Sequence, residues 1–202
     1  KIYPSPVDER TDRLADLVLK RYNLRVVEEK NKRRFLKKYG DKIFEVVDEA
    51  YAPLHGTVPI SGNVRAQILE QFGLVISLKF FITIVDENDR VVAFGFALPS
   101  LAKAVNKSKG KILPAGIFRM LRAIKSPQIV GLALVGIRPE YQGKGINGVI
   151  MRFMANTIKK NHIQFCETNL NLEDNIKIQQ QWNLFEHTQH KRRRCFIKKL
   201  EN

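Results

Sequence analysis

The stretch "RPEYQGKGINGVIMRFM", Arg138 to Met154, places Gly143, Gly145 and Gly148 beside Lys144 and then turns into an apolar helical pattern. Glycines between a strand and a helix let backbone N–H groups converge without interference from Cβ atoms, and a helix start carries about half a unit of positive charge. The chemistry such a turn offers is anion binding. It is not a Walker loop, because the G-x-x-x-x-G-K-[ST] spacing is missing. On spacing alone, a plain strand-to-helix loop and a phosphate cradle are equally good readings.

Other reactive residue types are less suggestive. His55, His162, His187 and His190 show no HExxH or comparable ligand spacing, so no metal site is expected. Cys166 and Cys195 are too few for a disulfide framework and fall in apolar-patterned segments, which predicts two buried free thiols. The run "HKRRRC" would, as a strand, turn Lys191 and Arg193 to one side and Arg192 and Arg194 to the other. It lacks interleaved aromatics for stacking bases, so nucleic acid is not the expected partner.

The elements that must position these residues follow from periodicity. "VDERTDRLADLVLKRY" spaces Leu14, Leu17, Val18 and Tyr22 as a helix, and "YNLRVVEEK" is a short strand. "NKRRFLKKYGDKIFEVVDEAY" is helical through Phe35, Ile43, Phe44, Val47 and Tyr51, with Gly40 as an expected interruption. After the loop "APLHGTVPISGN" and the short helix "VRAQILEQF", the hairpin "FFITIVDENDRVVAFGFALP" joins two β-rich runs through "DENDR". Residues 100–125 give two short helices around a basic loop, and Ile129 to Ile137 is a buried strand. Beyond the glycine turn, Ile146, Val149, Ile150 and Phe153 make an amphipathic helix. "IQFCETNL" is a strand, "LEDNIKIQQQWNLFE" a helix capped by Asp174 or Asn175, and "HKRRRCFIKKL" a final strand. The order implies an α/β (α+β) class with a mixed sheet flanked by helices.

At 202 residues the chain suits one domain, and chains near that size bury roughly 70% of their unfolded surface. An apolar content of 44% is ordinary, no run of 18 apolar residues could cross a bilayer, and no signal-peptide pattern opens the chain. A cytoplasmic protein with no membrane partner is the expectation. The net charge of +15, from 35 Lys plus Arg against 20 Asp plus Glu, points to an anionic partner without choosing it. Because the first residue is Lys1, residues 1–21 are expected to be a linker and helix that continue from a preceding domain, with residues 22–202 as the main domain.

"VGIRPEYQGKGINGVIM" resembles the acyl-CoA binding signature of the GNAT N-acetyltransferase superfamily: Gln or Arg, two residues, Gly, one residue, then Gly or Ala. Gln142 and Gly145 match it, and Asn147 departs from it, with Gly148 directly after. The preceding Ile137, Arg138, Pro139, Glu140 and Tyr141 share its flavour. The pieces "FEVVDEAY", "FGFALPSLAKAV", "PEYQGKGIN", "QWNLFE" and "QHKRRRCFIKKL" together look like a bacterial, Bacteroidetes-type GNAT subfamily, so the resemblance covers about residues 20 to 200.

That resemblance implies the GNAT acyl-CoA N-acyltransferase fold, with a mostly antiparallel mixed sheet, acetyl-CoA as co-substrate and an unidentified amine as acceptor. It implies that the backbone of Val135, Gly136 and Ile137 pairs with the pantetheine arm. The turn Gln142, Gly143, Lys144, Gly145, Ile146, Asn147 and Gly148 would hold the pyrophosphate. Asn175 occupies the place of a later cofactor-contacting Asn. The family's usual tyrosine acid, seven residues after that Asn, is replaced by Trp182, whose indole N–H cannot deliver a proton near neutrality. Trp182 is then either a wall or hydrogen-bond donor of the thioester pocket, or part of the core. Glu167, on the strand beside the implied cleft, is the candidate proton acceptor. A non-catalytic CoA-binding module of the same fold is the alternative.

Overall fold

Four successive strands form an antiparallel meander, and a fifth is added parallel at one edge, in a computed structural model that describes residues 1–5, 9–53, 57–173 and 175–198. Helix α1 (Glu9–Arg21), strand β1 (Arg25–Val26), and helices α2 (Lys32–Tyr51) and α3 (Gly62–Val75) precede the hairpin of β2 (Phe81–Val85) and β3 (Val91–Pro99). Short helices α4 (Ala102–Lys107) and α5 (Ala115–Lys125) lead to β4 (Ile129–Ile137) and a single 3-10 turn at Pro139–Tyr141. The chain then forms α6 (Ile146–Lys160), β5 (Phe165–Thr168) and α7 (Ile176–Trp182). The strand order is β1-β2-β3-β4-β5.

Strands β3 and β4 are apolar at every position because helices cover both faces. Ile82, Ile84, Val130, Val149, Ile150 and Ala15 form one core on the side of α1 and α6. Phe35, Tyr39, Val46, Val85, Val91 and Phe94 form the other under α2. Each fully buried side chain of this kind stabilises the fold by about 1.5–3 kcal/mol. Gly40 does not interrupt α2. It is buried, and a Cβ there would lie 2.9 Å from a methyl of Leu69, so the glycine is the contact that lets α3 press close.

The β2–β3 turn is held by side chains. Asp86 accepts from the amides of Asn88 and Arg90 at 3.0 and 2.9 Å. Asp89 sits in the left-handed region, φ 62°, and gathers Arg25, the Tyr39 hydroxyl at 3.1 Å and Lys38 at 2.6 Å. The bond from Lys38 holds the Asp89 carboxyl below its ordinary range. A depressed carboxyl contributes stability that is present above its unfolded value and lost as pH falls through the folded one. Asp89→Asn keeps the left-handed preference and removes the charge, and these pairs are largely solvent-screened, so the expected loss at pH 7 is about 0.5–1 kcal/mol. Denaturant titrations of both proteins should converge only as pH is lowered below the ordinary carboxyl value of about 4.

The last expected strand is absent: residues 188–198 contain no strand. The outer edge of β5 is already taken by Ile2, which exchanges two 2.8 Å backbone hydrogen bonds with Cys166, while the Lys1 carbonyl accepts from the Thr188 amide. The cations are drawn to acids instead, Lys191 to Glu167 and Arg192 to Glu173. Cys195 therefore lies exposed rather than buried, whereas Cys166 is buried and its thiol is pushed up to about 12 by that burial. Residues 199 and 200 of that run lie outside the described residues.

Candidate functional site

Strand β4 pairs with β5 only from Ile129 opposite Phe165 to Leu132 opposite Thr168. On its other edge Leu132 faces Ala97 and Leu134 faces Phe96, so Ala133 is an extra residue, a β-bulge. The bulge turns Leu132 toward one core and Leu134 toward the other although they are two residues apart. Beyond it β4 and β5 part. The Arg138 amide donates to the Val92 carbonyl, which by alternation turns Gly136 and Leu134 toward β3 and presents the backbone groups of Val135 and Ile137 at the open edge.

Side chains already reach that edge. The Tyr51 hydroxyl, at the end of α2, donates to the Val135 carbonyl at 2.9 Å, and burial pushes its phenol above the usual value. Gln142 Nε2 donates to the Ile137 carbonyl at 3.1 Å. Tyr51 is held in place from behind. The Arg138 side chain is 2% exposed, its Nε donates to the Val91 carbonyl at 2.7 Å, and its two terminal nitrogens bind Glu49 and, at 3.1 Å, Glu45. This fork ties the last turns of α2 to the end of β4.

The glycine turn follows directly. Gly143 and Gly145 have φ of 73° and 82°, and Gly145 is the N-cap of α6. A β-branched residue is a steric outlier in that region. A Cβ at Gly143 or Gly148 would meet nothing within 4 Å, whereas one at Gly145 would lie 2.9 Å from Val18 of α1. The first amides of α6 have no acceptor four residues back in the helix, the arrangement that binds anions. Lys144 Nζ sits 5.2 Å from the ring centres of both Tyr22 and Tyr141, so its charge is held beside the turn. Ile146 is buried, and Asn147 Nδ2 donates to Gln181 Oε1 at 2.9 Å, which ties the start of α6 to α7.

The remaining expected residues are placed differently. Asn175 is the N-cap of α7, its Oδ1 accepting from the Ile178 amide at 3.3 Å; Asp174 and His55 lie outside the described residues. Trp182 packs against the α1 and α6 core, and its indole nitrogen is buried with no hydrogen-bond partner among the described residues. Glu167 lies opposite Gly131, beside the paired part of β4 rather than beyond the bulge. It is engaged by Lys191 and, at 3.1 Å, by His190; the Lys191 bond holds its carboxyl below the ordinary range. Val135, Ile137, Gln142 and the glycine turn thus lie along one edge, and Glu167 stands before the bulge. Tyr51 and Arg138 were not singled out by the sequence, because their contacts join residues 84 and 89 positions apart and Tyr51 fits an ordinary apolar helix stripe.

Among the described residues there is no group of three or more His, Cys, Asp or Glu placed to hold a metal, and no helix long and apolar enough to cross a membrane. No family model matches the chain, and no curated protein matches it. Solved structures do. A possible acetyltransferase from Clostridium difficile 630 superposes with a TM-score of 0.53 at 13% identity, over 87% of this chain and 99% of that one. A GNAT family acetyltransferase from Brucella melitensis, solved in complex with acetyl-CoA, gives 0.48 at 14% identity, over 78% of this chain and 82% of that one. At such identities the likeness is one of architecture: a mixed five-stranded sheet flanked by helices, the GNAT acyltransferase fold.

Proposed function

We propose that the chain is an acyl-CoA-dependent N-acyltransferase, with acetyl-CoA as co-substrate and an amine as acceptor. The observation that carries this reading is the bulge at Ala133, where β4 leaves β5 and exposes the backbone of Val135 and Ile137 immediately before a glycine turn at a helix start. The residues fit such a ligand. An open strand edge accepts an extended amide-bearing arm as an added strand, and the turn at Gly143 to Gly148 suits a pyrophosphate. The unpartnered indole N–H of Trp182 is a buried donor in need of an acceptor.

When bound, the thioester supplies an activated acyl carbon: a neutral amine nitrogen bonds to it, the C–S bond breaks, the amine loses a proton and the departing thiolate gains one. The chain's own groups divide that work. The Val135 amide, at the open edge, is the proposed donor to the developing oxyanion. Tyr51, protonated at neutral pH as any phenol is and pushed further up by burial, is the proposed donor toward the thiolate and stands in for the phenol missing at Trp182. Glu167 is the proposed proton acceptor, but its lowered pKa makes it a weak base while Lys191 holds it.

Acetyl-CoA with a panel of primary amines, read by thiol release, tests the reading; release without dependence on any amine would sink it. Tyr51→Phe should lower amine-dependent release by about 100-fold while the Kd for CoA changes less than threefold. The wild-type rate should also stay flat with respect to this phenol until pH exceeds its usual value near 10. Trp182 favours one second reading, a module that binds CoA without catalysis, which predicts binding with no thiol release across the whole panel.

A further inference from the structure

The two short helices between β3 and β4 form a basic surface that also leaves apolar side chains in solvent. Residues 101–125 carry seven cations, Lys103, Lys107, Lys109, Lys111, Arg119, Arg122 and Lys125, and no acid. The same segment leaves large apolar side chains in solvent: Leu113 is 72% exposed, Phe118 71%, Ile112 60% and Leu121 56%. On α5, Phe118 and Leu121 fall about 60° apart around the helix, Arg122 lies about 40° to the other side of Phe118, and Lys125 follows between them toward the helix end. The buried side of α5 is elsewhere, at Gly116. The apolar stripe is therefore wider than the part the core covers, and it is edged by cations.

A second feature continues this surface. The end of α5 opens on a cleft of about 370 Å³ lined by Lys30, Lys32, Lys79 and Lys125 over Ile76 and Ile124. No described acidic residue pairs with these lysines or with the seven cations of the hairpin. Four like charges around a concave surface repel one another unless an anion sits among them.

We infer that the α4–α5 hairpin and the lysine cleft beside it dock the protein on the surface of an anionic lipid bilayer. Ile112, Leu113, Phe118 and Leu121 would enter the headgroup boundary while the cations meet acidic headgroups. Apolar insertion bordered by cations with no acid is the complementarity an interfacial helix requires, and a nucleic-acid face would not need the exposed aliphatic stripe. This reverses the expectation of no membrane partner, which concerned spanning segments; docking of this kind needs none. Topology also keeps the rest of the molecule accessible. The hairpin precedes β4 and the glycine turn follows it, so the two lie at opposite ends of that strand.

Flotation of the chain with phosphatidylglycerol/phosphatidylcholine vesicles, compared with phosphatidylcholine alone, tests the proposal without CoA or an amine, so its outcome is separate from that of the acyltransferase reading. The protein should float with the anionic vesicles and not the neutral ones, and 0.5 M salt should weaken the association. Phe118→Ser/Leu121→Gln, at two exposed positions, should reduce the bound fraction at least tenfold with the circular dichroism unchanged. Lys107→Gln/Lys109→Gln/Lys111→Gln should reduce it on anionic vesicles by a similar factor. Failure of the wild type to float, or equal flotation of the Phe118/Leu121 variant, would overturn the inference. So would retention of duplex DNA, or a dimer dissolved by the same variant, in the absence of vesicle binding.

Discussion

Gly145→Val is expected to weaken acetyl-CoA binding at least tenfold and to lower stability by about 2 kcal/mol. Two independent effects add at this position. The backbone is left-handed at φ 82°, where a β-branched residue is strained by about 1–3 kcal/mol. The new side chain also meets Val18 of α1, which an ideal Cβ would already approach to 2.9 Å. Relief of either forces the turn to change shape, and with it the direction of the first amides of α6. The stability loss appears in urea titration and the affinity loss in calorimetry. Gly148→Ala is the control for the stability effect: φ there is not left-handed and a Cβ meets no protein atom within 4 Å, so the fold should tolerate it.

Arg138→Ala is expected to cost about 3 kcal/mol of stability. Removing one partner of a buried ion pair typically costs about 3–5 kcal/mol. Here the lower end applies, because the side chains of Glu45 and Glu49 are 54% and 41% exposed and regain water once released. What remains is the cavity left by a side chain only 2% exposed, and a Val91 carbonyl deprived of its 2.7 Å donor. Arg138→Lys should recover only part of the loss, since one ammonium cannot serve the carbonyl and both carboxylates from the positions of a planar fork. Because Glu49 lies two residues before Tyr51, the variant should also loosen the end of α2 over the β4 edge. Hydrogen exchange of residues 45–51 measures that directly, with faster exchange expected there than in α6.

The parts of this fold legible in the sequence are those set by local chemistry. The run Ile129 to Ile137 is β4 at those bounds, and the amphipathic spacing from Ile146 gives α6, because apolar periodicity and glycine position are sequence-local signals. The resemblance to the GNAT signature likewise pointed to the architecture observed. Features made by distant partners were not legible. The final strand fails because Ile2, at the far end of the chain, takes the edge of β5 that the run from His190 would need. The bulge at Ala133 leaves no mark in an unbroken apolar run, since only its register against β3 reveals it. Tyr51 and Arg138 were hidden for the same reason: a stripe residue and a motif residue become parts of one edge only when α2 crosses β4. The exposed stripe on α5 was masked because its periodicity is that of any helix, and only burial shows that part of it is uncovered.

The edge of β4 beyond Ala133 and the glycine turn after it are the proposed seat of an acyl-CoA. Isothermal titration of the intact chain with acetyl-CoA and with CoA tests it most directly. Saturable one-to-one binding, weakened by Gly145→Val, is the result this reading predicts. No heat of binding at millimolar ligand, or binding indifferent to Gly145→Val, would contradict it.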